Sequence, residues 1–161
     1  TSSRRWGDVG FWIFVVKDHL HGKEVIPAGA IASERVKHGF WLVSSRIAAM
    51  KELAEGGFSV FFSTGVEGRM FIGEGVFSQQ PQPITDEMRF HIKGYPSEKL
   101  THFIKLDTAK LWTNPVKLED VLENLSFIKN KLRWYGYFRG SVRKIPEQDY
   151  KYLVSTASSQ S

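Results

Sequence analysis

Cysteine is absent from the 161 residues of this sequence. Its absence excludes disulfide bonds, thiolate nucleophiles and cysteine-ligated metals. No apolar run reaches the roughly 18 residues that a membrane-spanning helix needs, so we expect no membrane partner. The first residues, TSSRRWGD, lack the apolar core of a secretion signal. Together these absences predict a cytoplasmic protein.

Familiar catalytic motifs are missing as well. The chain has no G-x-S-x-G, no P-loop, no H-E-x-x-H and no dinucleotide-binding glycine pattern. The glycine-rich stretch GVEGRMFIGEG lies between two strand-like runs, where a hairpin explains it better than phosphate binding. His19 and His21 alternate with no second cluster nearby, whereas a zinc site needs three or four converging ligands. We therefore predict no catalytic residues, no cofactor and no metal.

Positive charge is what the sequence has in excess. The formal net charge is +5 and the isoelectric point is near 9.5, which favours an anionic partner such as nucleic acid. The stretch FIKNKLRWYGYFRGSVRKIP, at 127–146, interleaves cations with aromatic rings and contains no acid. A solvated face with core rings is one interpretation. Because Lys and Arg neutralise phosphates and rings stack on unpaired bases, we predict six contacts to a nucleic-acid backbone: Lys129, Lys131, Arg133, Arg139, Arg143 and Lys144.

The order of hydrophobic patterns predicts an α+β domain. GFWIFVVK reads as a buried strand, FSVFFSTG and RMFIGEGVFSQ as a β-hairpin, and THFIKL as a further strand. Helical spacing begins at Ser44 or Ser45, again at KLEDVLENLSFI, and again after Pro146. Glycines and a proline break residues 18–39, where we expect an irregular excursion with at most one short element.

A resemblance to a known family emerges from the C-terminal third. Residues 122–154 resemble the C-terminal signature of EVE domains, a branch of the PUA-like superfamily. The N-terminal half is similar to the related YTH domains, which have a first strand, then a G-x-W motif, then a glycine-containing hairpin. The resemblance covers about residues 10–155 and departs from the family in an insertion at 18–37. The matching signature positions are Leu125, Phe127, Ile128, Lys131, Trp134, Gly140, Ile145, Asp149 and Tyr150.

The resemblance implies a small mixed, mostly antiparallel β-barrel with helices packed around it. It implies an N-terminal extension at 1–9, a modified-base-binding domain at 10–155, and a tail or linker at 156–161. It further implies a non-catalytic reader of a methylated base in duplex DNA, with N6-methyladenine as the first choice, flipped into an aromatic cage. EVE domains also occur ahead of the motor of McrB-type, modification-dependent restriction systems. A motor domain of the same polypeptide is therefore an expected partner.

The resemblance also implies a base-binding set from three parts of the chain: Trp41, Tyr95, Ser44, Ser45, Asp18 and His19. Trp41 matches the cage tryptophan of the G-x-W motif. Tyr95 matches the second ring, for which Phe77 or Phe90 are substitutes. The two serines would contact the base edge, and Asp18 and His19 follow the first strand, where the family has further contacts.

Three alternatives remain open at the level of the sequence. The same pocket could read 5-methylcytosine-type DNA or methylated RNA. The ASCH branch of the same superfamily contains modified-nucleoside hydrolases, and such an enzyme would need convergence of residues like Lys17, Thr64 and Glu74. A protein-interaction module would instead present an exposed apolar patch.

Overall fold

The computed structural model describes residues 10–21, 23–43, 53, 56–86, 101–138 and 142–159. In chain order, the strands in these ranges are β1 (Gly10–Lys17), β2 (His19–His21), β3 (Glu24–Ile26), β4 (Phe40–Val43), β5 (Gly57–Gly65), β6 (Gly68–Phe77), β7 (Gln82–Pro83), β8 (His102–Lys105), β9 (Thr108–Lys117) and β10 (Val142–Ile145). The helices are α1 (Ala28–His38), α2 (Leu118–Val121) and α3 (Glu147–Ser159), with 3-10 segments at Leu122–Asn124 and Lys131–Phe138. Among these described helices, none has the length and apolar character to cross a membrane.

Two main sheets organise the strands. The larger has the order β10-β1-β5-β6-β9, in which only β1 and β5 run parallel. The smaller is antiparallel, with the order β4-β8-β7, and β2 pairs with β3. The predicted α+β class with a mostly antiparallel arrangement is confirmed. The sheets formed by the described residues are not closed.

Strand β1 is apolar and buried from Phe11 to Val16, as expected of a strand whose sheet is covered on both faces. Its side chains alternate between two core layers, as the period of a strand requires. Phe11, Ile13 and Val15 belong to the C-terminal layer, together with residues of α2, α3 and the 3-10 segments. The opposite face belongs to a second cluster, which we call the tryptophan layer: Trp12, Phe14, Val16, Ala28, Ile31, Ala32, Trp41, Val43, Leu53, Phe61, Ile72, Phe77, Ile104 and Leu106.

The predicted irregular excursion at 18–39 is wrong, because the hairpin β2–β3 and helix α1 occupy it. Pro27 immediately precedes α1, a place that proline tolerates well. Gly39 ends the helix with φ of 76°, and its N–H donates to the carbonyl of Arg35 at 2.8 Å. This left-handed residue lets the chain pass directly into β4 and brings Trp41 back beside Arg35.

The C-terminal predictions are confirmed in part. Pro146 immediately precedes α3, as predicted, and β8 lies within the strand predicted at THFIKL. The helix expected at KLEDVLENLSFI is only the short α2 followed by a 3-10 turn. Helix α3 continues to Ser159 and buries Ala157. The helix predicted from Ser44 or Ser45 lies outside the described residues except for Leu53, which is buried.

Candidate functional site

Trp41 lies at the centre of the tryptophan layer. It sits on β4 opposite Ile104, and its side chain is completely buried. Phe61 stacks on it with ring centroids 4.5 Å apart and planes 10° apart, and Phe14 tilts against it at 6.0 Å. A ring in this position offers a stacking surface only if a neighbouring side chain gives way.

Arg35 is the most unusual neighbour of Trp41. It projects from the buried face of α1, only 6% of its surface is exposed, and its guanidinium carbon lies 4.8 Å from the Trp41 ring centroid. Within the described parts of the chain, no carboxylate lies within ion-pair distance of it. Burial lowers the pKa of Arg35 to about 10, so the group stays charged at neutral pH. A buried cation that lacks an anion among the described residues is destabilising, and the cation–π contact with Trp41 partly offsets this.

The tryptophan layer also contains buried hydrogen-bond donors without partners among the described residues. Among the described residues, four buried side-chain atoms have no hydrogen-bond partner: Trp12 Nε1, Arg35 Nε, Trp41 Nε1 and Arg143 Nε. All four are donors, and the first three lie in or against the tryptophan layer. Buried polar groups in native proteins are normally paired, so donors of this kind are candidate positions for a ligand that supplies acceptors.

Most of the remaining predicted base-binding side chains lie outside the described residues. Ser44, Ser45 and Tyr95 lie outside the described residues, as does the substitute Phe90. His19 lies on β2 opposite Ile26, and its side chain is likewise outside the description. The other substitute, Phe77, is buried in the tryptophan layer, where it tilts against Phe14 at 5.4 Å.

Asp18 has a structural task. Its Oδ1 accepts from the N–H of Ala28 at 2.8 Å, and its Oδ2 accepts from the N–H of Val66 at 2.7 Å. The carboxylate thereby ties the start of α1 to the tip of the β5–β6 hairpin. Gly65 permits this approach, because a Cβ there would overlap the carboxylate. Both oxygens of the predicted base contact are thus engaged by backbone N–H groups.

The predicted backbone contacts separate into exposed and internal cations. Lys129, Arg133 and Lys144 are exposed, and Lys144 also lies 5.9 Å from the Trp12 ring centroid. Lys131 donates through Nζ to the carbonyls of Leu125 and Ile128, both at 2.6 Å.

Arg143 is half-buried over the rings of Phe127 and Tyr137, at 5.5 Å and 5.0 Å. Arg139 lies outside the described residues. Of the six predicted contacts, three are therefore exposed cations, and two others, Lys131 and Arg143, have contacts inside the domain.

A cleft of about 420 Å³ opens beside the C-terminal layer, and none of its lining residues belongs to the predicted site. Arg69 lies over the Trp134 ring at 4.7 Å within it. Its two acids and two cations balance, so it lacks the surplus positive charge that a phosphate site requires. The residues lining it are Glu67, Gly68, Arg69, Met70, Lys117, Leu118, Glu119, Leu122 and Trp134.

The residues of the hydrolase alternative do not converge. Lys17 and Thr64 are register partners at one end of the larger sheet. Glu74 is instead the register partner of Val60. Val60 precedes Thr64 by four residues on β5, which is about 13 Å at the spacing of a strand. Glu74 is instead paired with Lys110 at 3.3 Å. In the described ranges, no three His, Asp or Glu side chains gather as a metal site would require.

Sequence reasoning missed Arg35 altogether. Its signal was the spacing of Ala28, Ile31, Ala32 and Arg35, which is that of one helix face. The spacing went unrecognised because the surrounding glycines and proline favoured an irregular stretch. Had α1 been predicted, a cation on its apolar face would have stood out.

The fold is the one shared by EVE-type and YTH domains, and the predicted resemblance is confirmed at that level. No family model matches the chain. A UPF0310 protein of Pyrococcus abyssi is 34% identical over 82 residues, and one of Pyrococcus horikoshii is 29% identical over 80 residues. These alignments cover 50% and 49% of this chain and 56% and 54% of the relatives, so the chain spans about half the length of the curated relatives it matches.

Three solved structures illustrate the fold. The N-terminal domain of Staphylothermus marinus McrB has a TM-score of 0.62 at 13% identity, covering 95% of this chain and 97% of that one. Human THYN1 in complex with 5-methylcytosine-containing DNA has a TM-score of 0.59 at 10% identity, covering 92% and 97%. The YTH domain of Zygosaccharomyces rouxii MRB1 in complex with N6-methyladenosine RNA has 0.55 at 16% identity, covering 91% and 86%.

Proposed function

We propose that this domain is a non-catalytic reader of one methylated base in nucleic acid, and that the base binds against Trp41. The observation that carries the proposal is the aromatic layer around Trp41, with its unpaired donors, in a fold whose solved examples include complexes with methylated DNA and RNA. The basic charge of the chain adds support, since it favours an anionic polymer.

Recognition would require the base to leave its helical stack. Extruding one nucleotide costs a few kcal/mol, and stacking on an aromatic ring offsets about 1–3 kcal/mol of that cost. The methyl group adds apolar burial of about 0.8 kcal/mol. Phe61 is fixed on the central strand β5, whereas Arg35 has a long, flexible side chain. Arg35 is therefore the neighbour of Trp41 that would yield to an entering base.

The polymer and the biological setting are the finer part of the proposal. We infer duplex DNA as the target and a role as the specificity module of a modification-dependent restriction system in the cytoplasm, attached to a motor domain of the same polypeptide. The likeness to the N-terminal domain of an McrB protein supports this setting. N6-methyladenine is the base that the family resemblance favours, and 5-methylcytosine is the principal alternative.

Backbone contacts would come from the exposed cations of the C-terminal segment. Lys129, Arg133 and Lys144 can reach solvent phosphates from the surface. Phosphate contacts position a reader without carrying sequence information, so these residues would set affinity rather than base choice.

The test is direct binding of the domain to matched probes. Duplex DNA and single-stranded RNA of one sequence would carry N6-methyladenine, 5-methylcytosine or no modification, at one fixed salt concentration. We expect one modified duplex to bind at least about fourfold more tightly than its unmodified partner, the ratio that burial of a single methyl group provides. Equal affinity for all probes would contradict the proposal and would indicate a basic domain that binds nucleic acid without reading methylation.

A further inference from the structure

The chemistry of the tryptophan layer bears on which base it accepts. A guanidinium presents five N–H donors and no acceptor. Arg35 is buried beside Trp41, and the indole N–H groups of Trp12 and Trp41 are also buried without partners among the described residues. The buried donors of this layer therefore lack hydrogen-bond acceptors among the described residues. A ligand that brings only further donors would leave these donors without acceptors.

The position of Arg35 adds a geometric condition. Its guanidinium lies over the face of Trp41, so a base that stacks on this face would push it aside to a position next to the edge of the base. A planar guanidinium pairs best with two adjacent acceptors in its own plane, as it does in its bidentate contact with guanine. Cytosine offers such a pair, since O2 and N3 are neighbours on one edge.

The two candidate methyl groups lie on different edges of their bases. The C5 methyl of 5-methylcytosine lies across the ring from O2 and N3, where apolar side chains of the tryptophan layer would receive it. The methyl-bearing N6 of N6-methyladenine keeps one N–H and lies beside the acceptor N1. Its edge therefore presents one acceptor, one donor and an apolar methyl group where Arg35 needs two acceptors.

We propose that Arg35 is the specificity-determining residue of this site and selects a methylated cytosine over N6-methyladenine by donating to O2 and N3. The inference rests on the proposed function, because it assumes that a base stacks on Trp41. It opposes the preference for N6-methyladenine that the family resemblance suggests. The lowered pKa of Arg35 agrees with a cation that is desolvated before the ligand arrives.

The experiment compares four proteins on three duplexes that differ only at one base, carrying 5-methylcytosine, N6-methyladenine or no modification. The proteins are the wild type, Arg35→Met, Arg35→Lys and Arg143→Met. Methionine keeps the apolar length of the side chain and removes its donors, and lysine keeps the charge without the planar fork. Arg143→Met is the matched control, since Arg143 also has an unpaired Nε and lies over aromatic rings, but in contact with the C-terminal layer.

The wild type should prefer the 5-methylcytosine duplex over the N6-methyladenine duplex by about tenfold, the lower part of the range for one bidentate contact. Both Arg35 variants should lose most of this preference. Arg143→Met should keep the preference of the wild type. The melting temperature of Arg35→Met should match or exceed that of the wild type, because the substitution removes an unpaired buried charge.

A wild type that prefers N6-methyladenine, or an Arg35→Met variant that keeps the cytosine preference, would overturn this inference and leave the reader function standing. A melting temperature of Arg35→Met well below that of the wild type would also overturn it, because Arg35 would then have a structural partner. A wild type that ignores all modifications would instead overturn the proposed function itself.

Discussion

At the scale of single residues, Trp41 illustrates how recognition and stability compete for one side chain. From sequence alone, Trp41→Ala is expected to abolish methyl discrimination and leave the fold intact. The structure argues against that expectation, because the ring is completely buried and stacked on Phe61. Alanine would leave a large cavity between the two sheets. A variant that keeps an aromatic face is needed to separate binding from folding.

We expect Trp41→Ala to lower the free energy of unfolding by about 3–5 kcal/mol and Trp41→Phe to lower it by clearly less, measured by urea denaturation. Tyr135→Ala is the control, since Tyr135 is 53% exposed and its loss should stay within about 0.5 kcal/mol. If Trp41→Ala were as stable as the wild type, Trp41 would not belong to the core. Trp41→Phe should remain folded and is the appropriate variant for binding studies.

At the scale of elements, the C-terminal signature owes much of its composition to architecture. Leu125, Phe127 and Ile128 are buried, and Lys131 holds the carbonyls of Leu125 and Ile128. Asp149, only 1% exposed, accepts from the backbone N–H groups of Ser126 and Phe127 and from the Ser126 hydroxyl. These bonds fix the connection after α2 against α3. The mixture of cations and rings at 127–146 is therefore partly a means of folding.

Asp149→Ala should destabilise the domain by at least about 1–3 kcal/mol, because it leaves two backbone N–H groups without an acceptor. Thermal unfolding would measure the loss. Glu147→Ala in the same helix is the control, since its pair with Lys151 at 3.5 Å is exposed and contributes at most about 0.5 kcal/mol. Equal losses in the two variants would contradict the structural role of Asp149.

Some of these elements could be predicted from the sequence and others could not. Strand β1, the β5–β6 hairpin and α3 were predictable because their signals are local: an apolar run, a glycine turn and a proline before a helix. Helix α1 could not be predicted in this way, because Pro27 and Gly29 at its start are residues that usually indicate a loop.

The candidate site divides in the same way between local and distant signals. Trp41 was predicted as a site residue from a short motif. The role of Asp18 could not be found, because the N–H groups it accepts from lie 10 and 48 residues away in the sequence. Tertiary contacts of that kind leave no local pattern in the chain.

At the scale of the whole molecule, surface charge should control affinity through phosphate contacts. Lys129 and Lys131 are two residues apart, yet Lys129 is exposed whereas Lys131 binds two carbonyls of its own chain. Lys129→Gln should reduce the slope of log affinity against log salt by about 0.9, the effect of one lost phosphate contact on duplex DNA. Lys131→Gln should lower the melting temperature and leave the slope nearly unchanged. The reverse pattern would show that the two assignments are interchanged.

Stability in alkali should depend on Tyr150. Burial raises the pKa of its hydroxyl, and the negative charge of Glu74 adds to the effect. The unfolded tyrosine loses its proton near pH 10 while the folded one keeps it, so stability should fall as the pH rises above about 10. Arg35 has the opposite effect on stability. Its folded pKa of about 10 lies below its unfolded value, so its contribution to stability should rise as the pH increases above about 10.

Melting temperatures measured at increasing pH would isolate the contribution of Tyr150. Tyr150→Phe should lose less stability than the wild type above about pH 10. Tyr135→Phe, on the exposed ring, should follow the wild type. A Tyr150→Phe variant that declines as steeply as the wild type would contradict this assignment.

The central claim is that one methylated base is recognised in the tryptophan layer, separately from the backbone contacts. The most direct measurement is the affinity ratio between a methylated and an unmethylated duplex of the same sequence at two salt concentrations. Each affinity should fall steeply as salt rises, because phosphate contacts release counterions. The ratio should stay at about fourfold or more, because a buried methyl group is insensitive to salt. A ratio of one at both salt concentrations would contradict the account.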